Sequence, residues 1–225
     1  MSTKRITVAI DGPAGAGKST LARRIADKLG YVYIDTGAMY RAVALWAVRA
    51  GVALSDMHRL EQLALESRIE FFAGAPTVRL NGEDVTEAIR TIEISDAASK
   101  VAQIPAVRRA MVDKQREMGE TASSVVEGRD IGSIVFPNAP VKIFLDAHPE
   151  VRAERRAREA DLPPETVSRQ IAERDYRDRN RTESPLVQAA DAVYLDTTGM
   201  PIEQVEEAVL KIVRERTSNG KERTH

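Results

Sequence analysis

The 225-residue chain contains no cysteine. That excludes disulfides, thiolate metal sites and cysteine nucleophiles, and it agrees with a reducing compartment. No apolar run approaches the length of a membrane span, and no repeat or low-complexity tract appears. The basic start Met1-Ser2-Thr3-Lys4-Arg5 leads into a strand-like run, Ile6 to Asp11, rather than a signal-peptide core, so the expected location is the cytoplasm, with no membrane partner. A net charge of -1 argues against a broad nucleic-acid surface and leaves room for a local basic site. With 43% hydrophobic and 30% charged residues, the composition is that of an ordinary globular protein. The length suits one domain with an insertion, or two small domains.

What is present is most informative near the start. Gly12-Pro13-Ala14-Gly15-Ala16-Gly17-Lys18-Ser19-Thr20 fits G-x-x-x-x-G-K-[ST] at every fixed position, directly after Ile6, Val8 and Ile10. Glycines let successive backbone N–H groups turn inward around phosphate oxygens. Lys18 reaches the β and γ phosphates, and Ser19 is placed to ligate Mg²⁺. A strand runs into this loop and a helical pattern, Leu21, Ala22, Ile25 and Leu29, runs out and stops at Gly30. That context points to a nucleoside triphosphate site rather than a plain glycine-rich turn.

Beyond it, strands alternate with helices, which predicts an α/β fold with a five-stranded parallel sheet flanked by helices. Strands are expected near 6–11, 31–34, 123–126, 141–146 and 192–196. A helix opens around Thr36-Gly37, with Thr36 as N-cap, and closes near Gly51. From Asp56 the pattern changes: a short helix, then Ile69 to Phe72 and Val78 to Leu80, with Asn81-Gly82 as a hairpin turn before Val85. We read about 62–110 as an insertion, with small antiparallel strands, standing on the main sheet, and expect two helical stretches from Ile94 to Gln103 and from Pro105, suited to a first helical position, to Met118. The last helix, Ile202 to Arg216, leads into a polar tail, 217–225, expected to be disordered.

Between Arg152 and Arg181, thirty residues hold nine Arg and seven Asp or Glu but no Lys. Glu154 with Arg158, Arg155 with Glu159 and Glu173 with Arg177 suit i,i+4 pairs on solvated helices. The absence of Lys favours the planar, bidentate donor suited to phosphate. Carboxylates also stand where strands finish: Asp35, Glu127 and Asp146. Ligands bind on that side of a parallel sheet, and Asp35 or Asp146 could hold Mg²⁺ beside Ser19. Asp146 equally suits the start of the turn leading to Pro149.

Four segments occur together and in order: the phosphate loop, Asp35-Thr36-Gly37-Ala38-Met39-Tyr40-Arg41, Gly128-Arg129-Asp130-Ile131-Gly132, and Arg174-Asp175-Tyr176-Arg177-Asp178-Arg179-Asn180-Arg181. In this the chain resembles bacterial cytidylate kinase over nearly its whole length, and the Asn81-Gly82 hairpin followed by Ile89-Arg90-Thr91 is similar to that family's nucleoside-monophosphate-binding insertion. The resemblance implies a P-loop kinase that transfers the γ-phosphoryl of ATP to CMP or dCMP, with Mg²⁺. It implies that Gly12 to Thr20 cradle ATP, and that Arg41, Arg129 and Arg181 hold the acceptor phosphate, with Thr36 and Tyr40 in the same pocket. Gly128 belongs to the same segment. Ser99, Arg108 and Asp130 match cytosine-reading positions, and Arg174 and Asp178 match positions that contact the sugar. Arg155 and Arg156 lie in the region of a helical lid, 152–181, whose turn is contracted here to Ala160-Asp161-Leu162-Pro163-Pro164.

Phosphoryl transfer asks for positioning, fixed cations and Mg²⁺ rather than a strong base, so Lys18, Arg129 and Arg181 are the expected catalytic groups. Another small-acceptor kinase, or a nucleotide-dependent switch ATPase, would use the same phosphate loop. The switch is disfavoured because no Asn-Lys-x-Asp motif is present and the chain supplies its own arginines. A monomer is expected, with small nucleotides and no nucleic acid as partners.

Overall fold

The computed structural model describes residues 5–72, 74–160 and 163–218. Expectations for Met1 to Lys4, for Asp161 and Leu162 of the lid turn, and for the tail from 219 onward lie outside the described residues. A five-stranded parallel sheet forms the centre, in the order β2 (Val32–Asp35), β6 (Ser124–Gly128), β1 (Thr7–Asp11), β7 (Val141–Asp146), β8 (Val193–Asp196). Successive side chains of β1 face opposite ways. Val8 and Ile10 join Val125, Ile143 and Leu145 beneath α1 (Lys18–Leu29) and α8 (Ile202–Ser218). Ala9, Ile34 and Val126 join the core under α2 (Thr36–Arg49). Both faces are therefore covered, as βαβ crossovers require. Among the described residues, no helix is long and apolar enough to cross a membrane.

α1 ends at Gly30, whose φ of 64° no side chain adopts cheaply. The N-cap of α2 is Asp35, not Thr36: Asp35 Oδ1 accepts from Ala38 N at 2.8 Å, while Thr36 is the first helical residue. Thr36 turns its hydroxyl to the Glu127 carbonyl instead, at 2.7 Å. Between α2 and β6 stand α3 (Met57–Glu66), a three-stranded antiparallel sheet of β3 (Ile69–Phe72), β4 (Ala75–Leu80) and β5 (Glu83–Asp84), then α4 (Ile92–Val101) and α5 (Pro105–Thr121). Asn81 and Gly82 take φ of 52° and 88°, the pair of positive values a type I′ turn needs. α4 starts two residues earlier than expected because Thr91 caps it through Ile94 N. After β7 come α6 (Pro149–Ala160) and α7 (Pro164–Asn180), packed on each other. Of the expected i,i+4 pairs whose side chains are both described, Arg158 with Glu154 forms at 4.0 Å. Arg177 instead reaches Asp96 on α4 at 3.2 Å, and Arg155 donates to Thr197. The Glu159 side chain lies outside the described residues.

Candidate active site

The phosphate loop leaves the C-terminal end of β1 and enters α1. A Cβ on Gly12 would stand 1.9 Å from the Leu145 carbonyl oxygen, so only glycine lets the loop pass β7. Lys18 is buried and donates to the Pro13 carbonyl at 2.7 Å. Burial, then the nearby Arg129 guanidinium, pushes its ammonium down to about 7, against the pull of Glu127. Ser19 Oγ donates to Glu127 Oε2 at 3.0 Å, and the Tyr33 hydroxyl donates to Glu127 Oε1. Burial and the neighbouring Asp35 hold Glu127 above the usual carboxylate range.

A cavity of about 580 Å³ opens from this loop. Lys18, Ser19, Asp35 and Glu127 line its base, Ser95, Asp96 and Ser99 of α4 line one wall, and Gln170, Glu173 and Arg174 of α7 line another. Arg41, Arg129, Arg156, Arg174 and Arg177 all face it. Arg41 is held by Asp35 at 2.9 Å, and Arg129 Nε by Asp178 at 2.8 Å. Arg174 is buried among these cations; desolvation, then Arg129, brings its guanidinium down to about 10, and its Nε has no partner among the described residues.

Arg108, Asp130, Asp178, Arg181 and Tyr40 do not line that cavity but form a buried cluster joined to it through Arg129. Asp130 is shared: Oδ2 accepts from Arg108 Nη2 at 2.6 Å and Oδ1 from Arg181 Nη2 at 3.3 Å. The Arg108 guanidinium stands 5.5 Å from the centre of the Tyr40 ring. Ser99 Oγ, on the cavity wall, is buried with no partner among the described residues. An orphaned buried hydroxyl beside a cavity is a place for a ligand's polar group.

A second cavity of about 270 Å³ shares Gly17 and Thr20 with the first and is closed by Arg155, Thr197, Met200 and Ile202. Arg155 and Arg156, adjacent in sequence, thus face different cavities. Of the three acidic strand ends, Asp35 and Glu127 reach the main cavity. Asp146 turns back on its own chain, its Oδ1 accepting from Ala147 N at 2.8 Å.

Sequence reasoning passed over Asp11. It is 4% exposed and accepts from Ile131 N at 2.8 Å and Gly132 N at 2.7 Å, which holds the turn after Asp130. Burial raises its carboxyl to about 6 against those two hydrogen bonds. A carboxylate closing an apolar strand just before the loop was the available signal. Glu127 was seen as a strand end but not chosen for the site, and Arg152 and Asp175 were missed.

The cytidylate kinase family profile matches residues 8–215. The chain belongs to the cytidylate kinase family. The cytidylate kinase of Solibacter usitatus is 60% identical over 226 residues, which cover 97% of each chain. That of Bacillus subtilis is 46% identical, covering 95% of this chain and 99% of the relative. A gluconokinase from Sinorhizobium meliloti 1021 superposes with a TM-score of 0.52 at 18% identity, covering 99% of this chain and 100% of that one, a likeness of fold alone.

Proposed function

We propose that the chain transfers the γ-phosphoryl of ATP to CMP or dCMP, giving ADP and CDP or dCDP. The observation that carries this reading is one cavity that runs from the phosphate loop to Ser99 with five guanidinium groups on its wall. Two polyanions must meet there, and the arginines offset their repulsion while aligning the attacking oxygen. The triphosphate lies along Gly12 to Thr20, with the adenine in the adjoining cavity beside Arg155, since Gly17 and Thr20 border both. Residues 62–110 act as the acceptor-binding insertion and 152–181 as the lid, which supply the α4 and α7 walls. Arg41, Arg129 and Arg181 secure the acceptor phosphate. Arg129 faces the cavity directly, whereas Arg181 acts from the cluster behind it through Asp178 and Asp130. Ser99, Arg108 and Asp130 read cytosine, with Arg174 and Asp178 at the sugar and Thr36 and Tyr40 supporting the pocket.

Ser19, Glu127 and Asp35 present only oxygen donors to the cavity base, the donor set that suits Mg²⁺. When bound there, the ion supplies charge neutralisation at the β and γ oxygens. Lys18 leaves the Pro13 carbonyl for the phosphates and meets charge that grows in the transition state. Closure of the lid excludes water as a competing acceptor. We take the enzyme to act as a cytoplasmic monomer without nucleic acid. One coupled assay of ADP release against CMP, dCMP, UMP, AMP and shikimate tests the reading. CMP or dCMP should give the highest kcat/KM, and preference for AMP or shikimate would overturn it.

A further inference from the structure

One buried cluster beside the phosphate loop takes no part in the chemistry just described. Asp175, on α7 and 4% exposed, accepts from Ala14 N at 3.1 Å through Oδ1 and from Arg152 Nη1 at 2.6 Å through Oδ2. Arg152, on α6 and 5% exposed, also donates from Nη1 to the Ala14 carbonyl at 2.9 Å and from Nε to the Ala147 carbonyl at 3.0 Å. Both backbone groups of one phosphate-loop residue are therefore held by side chains of the two lid helices. The next residue is pressed against the same place, since a Cβ on Gly15 would stand 2.6 Å from the Arg152 carbonyl oxygen. Ala14 itself packs with Ala153, Ala157, Val167 and Ile171 in an apolar cluster separate from the main core.

A buried ion pair is no more stabilising than apolar groups of the same volume, but it is directional. A guanidinium bonded at once to the β7–α6 turn, the phosphate loop and α7 admits one arrangement of all three. We propose that Arg152 and Asp175 are positioning residues for phosphoryl transfer. They strap the phosphate loop to the lid, so that Arg156 on α6, which faces the same cavity, reaches the transferring phosphoryl group in register with Lys18. The proposal rests on the reading that ATP occupies the phosphate loop. A strap of this kind acts first on the donor side, through Ala14, and disturbs less the CMP walls that α7 shares through Arg174 and Asp178.

Two variants of the full chain test it. Asp175→Asn keeps volume and an acceptor for Ala14 N–H but sets an amide NH₂ against Arg152. Arg152→Lys keeps the charge but cannot serve Ala14, Ala147 and Asp175 together. Misplacement at the reacting centre should lower kcat/KM for ATP by about tenfold or more. The calorimetric Kd for CMP should rise by a smaller factor than that, and the share of ATP lost to water in the presence of CMP should rise. Equal losses in the ATP and CMP terms together with a lower Tm, or no change at all, would overturn the strap. In the parent enzyme without nucleotide, hydrogen exchange should find the Ala14 amide protected. Rapid exchange there overturns the proposal even where a variant fails to fold. A parent that binds ATP but does not phosphorylate CMP would refute the acceptor reading and leave the strap to be judged by exchange and ATP binding.

Discussion

Asp130→Asn tests the centre of the acceptor cluster. The carboxylate serves two guanidinium groups whose side chains are 3% and 4% exposed, Arg108 and Arg181. Removing one partner of a buried pair costs about 3–5 kcal/mol, and asparagine, which keeps the shape and one acceptor, belongs at about 3 kcal/mol. For a chain of this size that lowers Tm by about 6–12 °C. With cytosine read by Asp130 as proposed, the same change is expected to alter base choice. Cytosine offers its N4 amino group to a carboxylate, whereas uracil presents O4, acceptor against acceptor. An unpaired buried polar group costs about 1–3 kcal/mol. The CMP to UMP ratio of kcat/KM should therefore narrow by about 5- to 150-fold, because the amide can turn its NH₂ to O4. Steady-state kinetics with both substrates and a thermal melt, on parent and variant side by side, give both readouts. An unchanged ratio removes Asp130 from base reading, and an unchanged Tm refutes its role in holding the two arginines.

Lys18→Ala should lower kcat by about 10²-fold or more, the loss of one preorganised electrostatic donor; near-full kcat would take Lys18 off the catalytic list. Because Lys18 is pushed down to about 7, the free-enzyme profile of kcat/KM for ATP should fall as pH rises through that region, with kcat less affected once phosphate holds the proton. Between about 7 and the ordinary lysine value of 10.5 the unfolded chain binds more protons at this residue, so its contribution to stability rises with pH and is lost as pH falls through about 7. Denaturant unfolding of the parent and Lys18→Met across pH checks the sign. Arg41→Lys keeps the charge but loses the fork held by Asp35. One charge-assisted hydrogen bond is worth about 1.5–3 kcal/mol, so kcat/KM for CMP should fall by about ten- to 150-fold. A variant kinetically equal to the parent would mark Arg41 as a solvated ion pair.

Much of the fold was legible because local backbone geometry demands particular residues. Gly30 stops α1 and Asn81-Gly82 turns the hairpin through positive φ, signals that do not depend on distant parts of the chain. The N-cap of α2 was misplaced by one residue because Asp35 and Thr36 are both capable caps, and the choice fell to Glu127, whose carbonyl draws the Thr36 hydroxyl away. Among the strand-end carboxylates, position in a strand could not separate Asp35 and Glu127, which reach the cavity, from Asp146, which bonds its own turn.

By itself the sequence determined the phosphate loop, the parallel strand runs around it and the arginine-rich, lysine-free stretch 152–181, since glycine spacing, apolar runs and the absence of Lys are written along the chain. Tertiary structure alone decided which arginine meets which carboxylate. Arg108 and Asp130 are 22 residues apart, Arg129 and Asp178 are 49 apart, and Ala14 and Asp175 are 161 apart. It also sent Arg155 and Arg156 to different cavities, because adjacent side chains on a helix point about 100° apart and what each meets depends on its neighbours in space. A charge pattern states which partners are available; burial decides which pairs must form, because an unpaired ion inside the protein is too costly to persist.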